Sequence, residues 1–362
     1  MLSQIWFKVQ TKLFPFLAEV MGSLSEKQKR LVAILEVVRV EEFVERVYGG
    51  YRGRPRDDRG ALARAFIAKM AYDIKTTRAF IEELKSSKNL RRICGWERES
   101  EIPSESTFSR VFEEFSMSEL PNRAHKALVE KHEGERIVGH ISRDSTDIIG
   151  REKASRKPPR EDKGSMMRKR GRPRKGDEPA PREPGRIEKQ IGMSVADILK
   201  DLPTGCDYGM KKKNGRIAAW KGYKFHVDWA DGEIPISAML TSASVHDSQA
   251  AIPLAKMSFE RVDSLYDLMD AAYDAKEIED FSRSLGHVPI IDQNRRKGKK
   301  EEMDPAQKLR YNERSTAERG FSMLKENFGG RNVRVKGYIK VFAHLMFGLL
   351  ALTADRLLNL VT

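Results

Sequence analysis

The apolar period of the chain changes once, at Arg136, and that change restricts the fold more than any single motif. Between Ser25 and about Pro121, apolar residues return every three or four positions in KQKRLVAILEVV, ALARAFIAKMAYDI and TTRAFIEELKSS, which predicts helices. Ser104 or Ser106 is placed to cap a further helix, in PSESTFSRVFEEF, with Phe108, Val111, Phe112 and Phe115 on one side. Beyond Arg136 strand-like segments appear, with GYKFHVDWA alternating. IVGHISRDSTDII, GYKFHVDWA and IPISAMLTSA read as three strands of a meander, the last two joined at the turn signal Asp231-Gly232. HDSQAAIPLAKM then reads as a helix, SLYDLMDAAYD as a strand ending near Asp270, KEIEDFSRSLG as a helix and HVPIID as a strand before one more helix.

This β-β-β-α-β-α-β-α order predicts an α/β protein: a mixed-sheet domain of ribonuclease-H-like architecture over residues 136–362, preceded by a helical domain over residues 1–135. The helical part, including RAFIEELKSSKNLRRICGW, is open to two readings, a small DNA-binding bundle or a packing domain with no ligand. An insertion of Pro, Gly, Lys and Arg runs from Arg151 to Arg216, and its first half is expected to lack order in isolation.

Charge narrows the partners. Lys and Arg number 67 against 53 Asp and Glu, a formal charge of +14, which favours a polyanion such as nucleic acid over an acidic metabolite. The longest apolar run, VFAHLMFGLLALTA at 341–354, is shorter than the roughly 20 residues that span a bilayer and contains His344, so a buried helix is expected and no membrane partner. The first residues are interrupted by Gln4, Lys8, Gln10 and Lys12, so export is not expected. Cys94 and Cys206 fit a reducing cytoplasm and supply neither a disulfide framework nor a zinc site.

Within the insertion, Arg170-Gly171-Arg172-Pro173 stands among Lys169, Arg174 and Lys175 and resembles an AT-hook core. An extended backbone bare at Gly171 can lie in a narrow A·T-rich minor groove with both arginines along its floor. A plain basic linker touching phosphates is the other reading, and both imply DNA contact.

The helix expected over 311–329, YNERSTAERGFSMLKENFG, has a narrow polar stripe. With each residue advancing about 100°, Arg314, Lys325, Glu318 and Tyr311 fall within roughly 60° of one another, beside an apolar face of Ala317, Phe321, Leu324 and Phe328. In the expected fold Asp144 lies on the first strand, Asp270 at the end of the fourth and Glu318 on this helix. Three carboxylates brought together would repel unless divalent cations intervened, and oxygen ligands suit Mg²⁺ or Mn²⁺. Two such ions about 4 Å apart serve phosphoryl transfer.

These residues resemble the DDE transposases of bacterial insertion sequences, in the superfamily marked by a Tyr-Arg-Glu-Lys signature. Tyr311, Arg314, Glu318 and Lys325 match the signature; Asp144-Ser145-Thr146 and Asp270 to Asp274 resemble the segments of the first and second aspartates. The resemblance covers roughly residues 60 to 355. It implies metal binding and catalysis by Asp144, Asp270 and Glu318, transposon-end binding by Tyr311, Arg314 and Lys325, and a DNA transposase that cuts its element's ends and joins the 3′-hydroxyls to target DNA. It also implies double-stranded DNA as partner, a homodimer when ends are paired, and a cytoplasmic, nucleoid-associated location. Asp147, Asp267, Asp274 and Asp292 compete for the aspartate roles. Asp247, after His246, reads as a helix cap or a functional residue, and Trp220 and Tyr223 as packing residues or base-stacking ones.

Asp270 and Glu318 are only 48 positions apart, leaving no room for the β-rich insertion that some relatives carry there. The hairpin excision route is therefore not implied. The basic loop NRRKGKKEEMDP in this interval reads equally as a DNA contact or a solvated loop. A non-catalytic DNA-binding regulator and a ribonuclease-H-like nuclease are the alternative functions.

Overall fold

The structure, a computed structural model, describes residues 23–45, 57–155, 184–213, 216–294 and 302–360. The proposed AT-hook, Arg170 to Pro173, and most of the basic loop after Asn294 lie outside the described residues.

Among the described residues six α-helices come first: α1 (Glu26–Val38), α2 (Arg59–Ala71), α3 (Thr77–Ser86), α4 (Lys88–Cys94), α5 (Glu105–Met117) and α6 (Leu120–Glu133). Polar side chains start most of them. Ser25 and Gln28 form a reciprocal capping box on α1, and Ser104, of the two candidates, accepts from the Thr107 N–H to cap α5. Caps of this kind satisfy backbone donors that the first helical turn leaves unpaired.

The sheet is built on β1 (Ile137–Ile149), which runs antiparallel to β3 (Arg216–Ala230) and parallel to β5 (Asp263–Met269). Beyond these, β4 (Ile234–Ser242) pairs antiparallel with β3, and β6 (Val288–Ile291) pairs parallel with β5. The expected β1-β3-β4 meander is therefore present. The second half of the insertion adds structure that its composition hid: α7 (Arg186–Ile191), α8 (Val195–Asp201) and β2 (Asp207–Lys213), the last paired with the first half of β3. Gly222, where β3 leaves β2 and meets β1, allows a close approach, because a Cβ there would lie 1.9 Å from the Ile148 carbonyl oxygen.

Helices cover both faces. On one, α9 (Ser248–Phe259) packs with α7, α8 and α10 (Lys276–Ser284) over Met239, Met269 and Tyr273. On the other lie α12 (Ser315–Asn327) and α13 (Tyr338–Asn359). α13 carries the apolar run noted above. It is the one described helix long and apolar enough to cross a membrane, yet 83% of that stretch is buried inside the protein. It packs against α1, α2, α5, α6, α12 and β4, so the N-terminal helices and one face of the sheet share a continuous core. Each large apolar side chain so buried stabilises the fold by about 1.5–3 kcal/mol.

The segment expected as one helix over 311–329 is two, α11 (Pro305–Asn312) and α12. Around Glu313 and Arg314 the backbone bonds tighten to i→i−3 spacing: Arg314 N–H donates to Tyr311, Thr316 to Glu313 and Ala317 to Arg314. The Glu313 carbonyl also accepts from Ser142 Oγ of β1 at 3.2 Å, so a residue remote in sequence anchors the bend. The predicted apolar face holds: Ala317, Phe321, Leu324 and Phe328 are buried. Gly320 brings α12 close to β3, since a Cβ there would stand 2.5 Å from the Trp229 ring.

Candidate active site

The site lies where β1, the end of β5 and the α11–α12 bend meet. Asp144 projects from β1 and is largely withdrawn from water. Its Oδ1 accepts from the Ser145 N–H at 2.7 Å and its Oδ2 stands 3.3 Å from Arg314 Nη1. Burial, reinforced by the charges of Asp270 and Asp247, outweighs these partners and pushes the carboxyl up to about 6. Asp270 follows β5 and caps a single 3₁₀ turn, accepting from Ala272 N–H at 2.9 Å. Burial first, then the Asp247 charge, raises its carboxyl above the usual carboxylate range as well.

Arg314 joins the parts. Its Nη2 donates to Glu318 Oε1 at 2.8 Å, one turn along the helix, while Nη1 reaches Asp144, so a single guanidinium bridges two carboxylates from different elements. Tyr311 is half-buried beside Arg314 with its phenol pushed up to about 12, chiefly by burial. The tightened bend helps here, because residues i and i+3 eclipse in 3₁₀ geometry. Asp144, Asp270, Tyr311, Arg314 and Glu318 thus occupy one locus.

Lys325 stands apart from them. Its Nζ lies 3.4 Å from Asp147 Oδ1, three residues along β1 from Asp144, or roughly 10 Å of extended chain. The stripe expected from ideal helix angles is therefore spread along β1, because α12 crosses the strand and does not point end-on at one spot. Glu318 is also less enclosed than a ligand triad implies, with its side chain 64% exposed and turned to Arg314. Among the described residues, no three His, Cys, Asp or Glu side chains stand close enough to hold an ion.

The rival aspartates have other partners. Asp267 is buried with Ser282 and His287, and Asp274 accepts from the Asn294 N–H at 2.8 Å. Asp292 contributes charge near Tyr311. Tyr223 is buried, and Trp220 packs over Gly209, so both serve packing. Behind Asp144, Arg143 makes a bidentate pair with Asp228 at 2.8 and 2.7 Å, with Ser258 donating to the same carboxylate at 2.7 Å. This pair ties β1 to β3 one residue from the site.

Three groups here were missed or left open by sequence reading. Lys211 of β2 adds a positive charge near Asp270, and the Tyr273 hydroxyl is buried among the charges of Asp247, Asp144 and Asp270. Asp247 is the third. A lysine inside a basic insertion and a tyrosine after an aspartate carry no sequence signal that sets them apart.

A mixed α/β fold with acidic side chains at one end of its sheet and cations on a neighbouring helix is compatible with enzymes that act on nucleic acid. Comparison with known families is more specific. Residues 199–354 match the family described as "Transposase DDE domain", and residues 19–114 match one described as "Transposase domain". Both matches support a transposase family for this chain. The first covers Asp270, Tyr311, Arg314, Glu318 and Lys325 but begins after Asp144. No curated protein and no solved structure matches the chain.

Proposed function

We propose that the protein is a DNA transposase of the DDE type, which cleaves the ends of its insertion sequence and joins the 3′-hydroxyls to target DNA. The observation that carries this reading is the bridge by Arg314 between Asp144 and Glu318, with Asp270 alongside, inside a chain that matches transposase families at both ends. The β4-β3-β1-β5-β6 order, antiparallel on one side of β1 and parallel on the other, supports a ribonuclease-H-like catalytic domain. Residues 1–135 are then the end-binding part.

Asp144, Asp270 and Glu318 fit Mg²⁺ or Mn²⁺ in donor chemistry: all are hard carboxylate oxygens, and the two half-buried ones, Asp144 and Asp270, are poorly compensated by the protein alone. When bound, such ions supply Lewis-acid stabilisation of the attacking and leaving oxygens of a phosphoryl transfer. The chain's own part is positional. Arg314 is shared between carboxylates and is free to turn one guanidinium edge to a DNA phosphate. Tyr311, pressed against it, restricts where it can swing. Lys325, farther along β1, grips a second phosphate and not the same one. Arg170 to Pro173 would track a neighbouring minor groove, and pairing of two ends would bring two copies together.

Asp144→Ala, Asp270→Ala and Glu318→Ala are each expected to abolish Mg²⁺-dependent cleavage of end DNA while end binding by mobility shift is retained. Near-parental cleavage by any one removes that residue from the triad. A non-catalytic regulator would show binding without cleavage in the parent protein, and a nuclease would cut without joining paired ends.

A further inference from the structure

After α12 the chain runs through Arg331-Asn332-Val333-Arg334-Val335-Lys336-Gly337 without helix or strand. Val333 is buried and Val335 partly buried against the main core, which leaves Arg334 and Lys336 exposed between and beyond them. The segment leaving β1 is fastened alongside. Arg151 Nη1 donates to the Arg334 carbonyl at 3.3 Å, and the Gly337 N–H donates to Glu152, whose other oxygen accepts from the Tyr223 hydroxyl. Glu152 is thus occupied, while its exposed neighbours Arg151 and Lys153 add their charges to those of the loop.

A fifth cation comes from the N-terminal helices. Lys69 of α2 is only 7% exposed, yet among the described residues its ammonium makes no hydrogen bond and no ion pair. The end of α2 meets the start of the same loop, since a Cβ at Gly329 would stand 2.8 Å from Met70 Sδ. Burial, offset by the Asp73 charge and reinforced by that of Arg334, pushes the Lys69 ammonium down to about 8. Arg151, Lys153, Arg334 and Lys336 likewise have no carboxylate partner among the described residues. Like charges gathered without counter-charge repel, and an anion relieves them.

The patch continues a line that starts at the carboxylates. Arg314 stands at Asp144, Lys325 stands at Asp147, and Arg151 follows the end of the same strand. From Asp144 to Ile149 the strand covers roughly 16 Å. Duplex DNA advances about 3.4 Å per base pair, so this is on the order of five base pairs.

We propose that Lys69, Arg151, Lys153, Arg334 and Lys336 form a phosphate-binding patch at the seam between the N-terminal helices and the sheet, which grips the backbone of duplex DNA about five base pairs or more from the phosphate at the carboxylates. The inference rests on the DNA-transposase reading above. Because α2 supplies one cation and the sheet domain the other four, a bound backbone ties the two parts of the chain together.

The test uses the full chain and a fluorescein-labelled 20-bp duplex of mixed sequence, with binding followed by anisotropy across a salt series. Each lost phosphate contact removes about 0.9 from the slope of log affinity against log salt, so Arg334→Gln/Lys336→Gln is expected to lose about 1.8, with affinity down about tenfold or more. Lys131→Gln/Arg136→Gln removes the same charge at the opposite end of β1 and is expected to leave the slope unchanged. Lys69→Met keeps the stem and removes a buried, unpaired charge. It is expected to raise the melting temperature by about 2 °C or more while weakening duplex binding about threefold or more. Equal slopes for the parent and Arg334→Gln/Lys336→Gln, or equal losses in the two double variants, would overturn the patch. Lower melting of Lys69→Met with unchanged affinity would make Lys69 a structural residue and overturn the seam site. Should Lys69→Met fail to fold, the exposed pair Arg334 and Lys336 decides alone. Anisotropy needs no cleavage, so a parent protein that binds through this patch but never cuts or joins DNA sinks the transposase reading and leaves the patch standing.

Discussion

Replacing Arg143 by Met should be one of the most damaging single changes in the sheet. The guanidinium is 1% exposed, makes two short bonds to Asp228, and adds charge compensation for Asp267. Methionine retains most of the stem's packing but removes the charge, leaving Asp228 with Ser258 as its remaining side-chain donor. Breaking one partner of a buried pair costs about 3–5 kcal/mol, because the other charge stays buried and uncompensated. In a chain of this size about 2 °C of melting temperature accompanies each kcal/mol, so circular dichroism should show a loss of roughly 6–10 °C. Asp228→Leu should cost a comparable amount by stranding Arg143. The double variant Arg143→Met/Asp228→Leu should recover more than half of the summed loss, since an apolar pair of similar volume carries no desolvation penalty. Melting of Arg143→Met within about 2 °C of the parent, or simple addition of the two single losses, would refute the account of this pair.

The remaining expectations concern the site, acid and DNA. Arg314→Ala should cut end cleavage on the order of 100-fold through lost positioning. Arg319→Ala, whose guanidinium pairs with Glu233 at 2.6 Å away from the carboxylates, should be mild; equal damage at equal stability would sink the positioning role of Arg314. Burial pushes His125 down to about 3, so its neutral form is the folded one. The folded value lies below the unfolded 6.5, so its contribution is complete above pH 6.5 and is lost as pH falls toward 3. His125→Leu should therefore shrink the loss of unfolding free energy between pH 7 and pH 5 by about 2 kcal/mol in urea titrations, and an unchanged pH dependence would contradict this. Arg170→Ala with Arg172→Ala should weaken binding to A·T-rich duplexes more than to G·C-rich ones in fluorescence anisotropy. Equal losses would favour a phosphate-binding linker.

The strands were legible from their apolar content between turn signals, although helices cover both faces and β1 and β3 show little alternation in burial. The apolar face of α12 was legible from the spacing of its apolar residues. Composition concealed α7, α8 and β2, since IEKQIGMSVADILK follows a Pro- and Lys-rich stretch and its apolar residues pack against α9, which comes later in the chain. The bend between α11 and α12 was hidden too, because Ser142, a strand residue, captures the Glu313 carbonyl. Angles on an ideal helix placed Arg314 beside Glu318, an i,i+4 relation, but they carry no information about the strand it crosses. That is why Lys325, expected on one stripe with Arg314 and Glu318, is found beside Asp147. Asp247 illustrates a further limit: a carboxylate ahead of a helix reads as a cap, and only its tertiary surroundings reveal which donors it has taken.

The position of α13 governs the order in which this protein can be made. Translation delivers the N-terminal helices and most of the sheet before α13, the helix against which α1, α2, α5, α6, α12 and β4 all pack. Until it emerges, Phe66 and Phe112 lack the Phe347 ring that completes their packing, so the growing chain displays apolar surface of the kind that chaperones engage. A frameshift or stop codon upstream of residue 338 would thus disable the N-terminal helices as surely as the sheet, and such a product would be cleared rather than persist as a DNA-binding fragment.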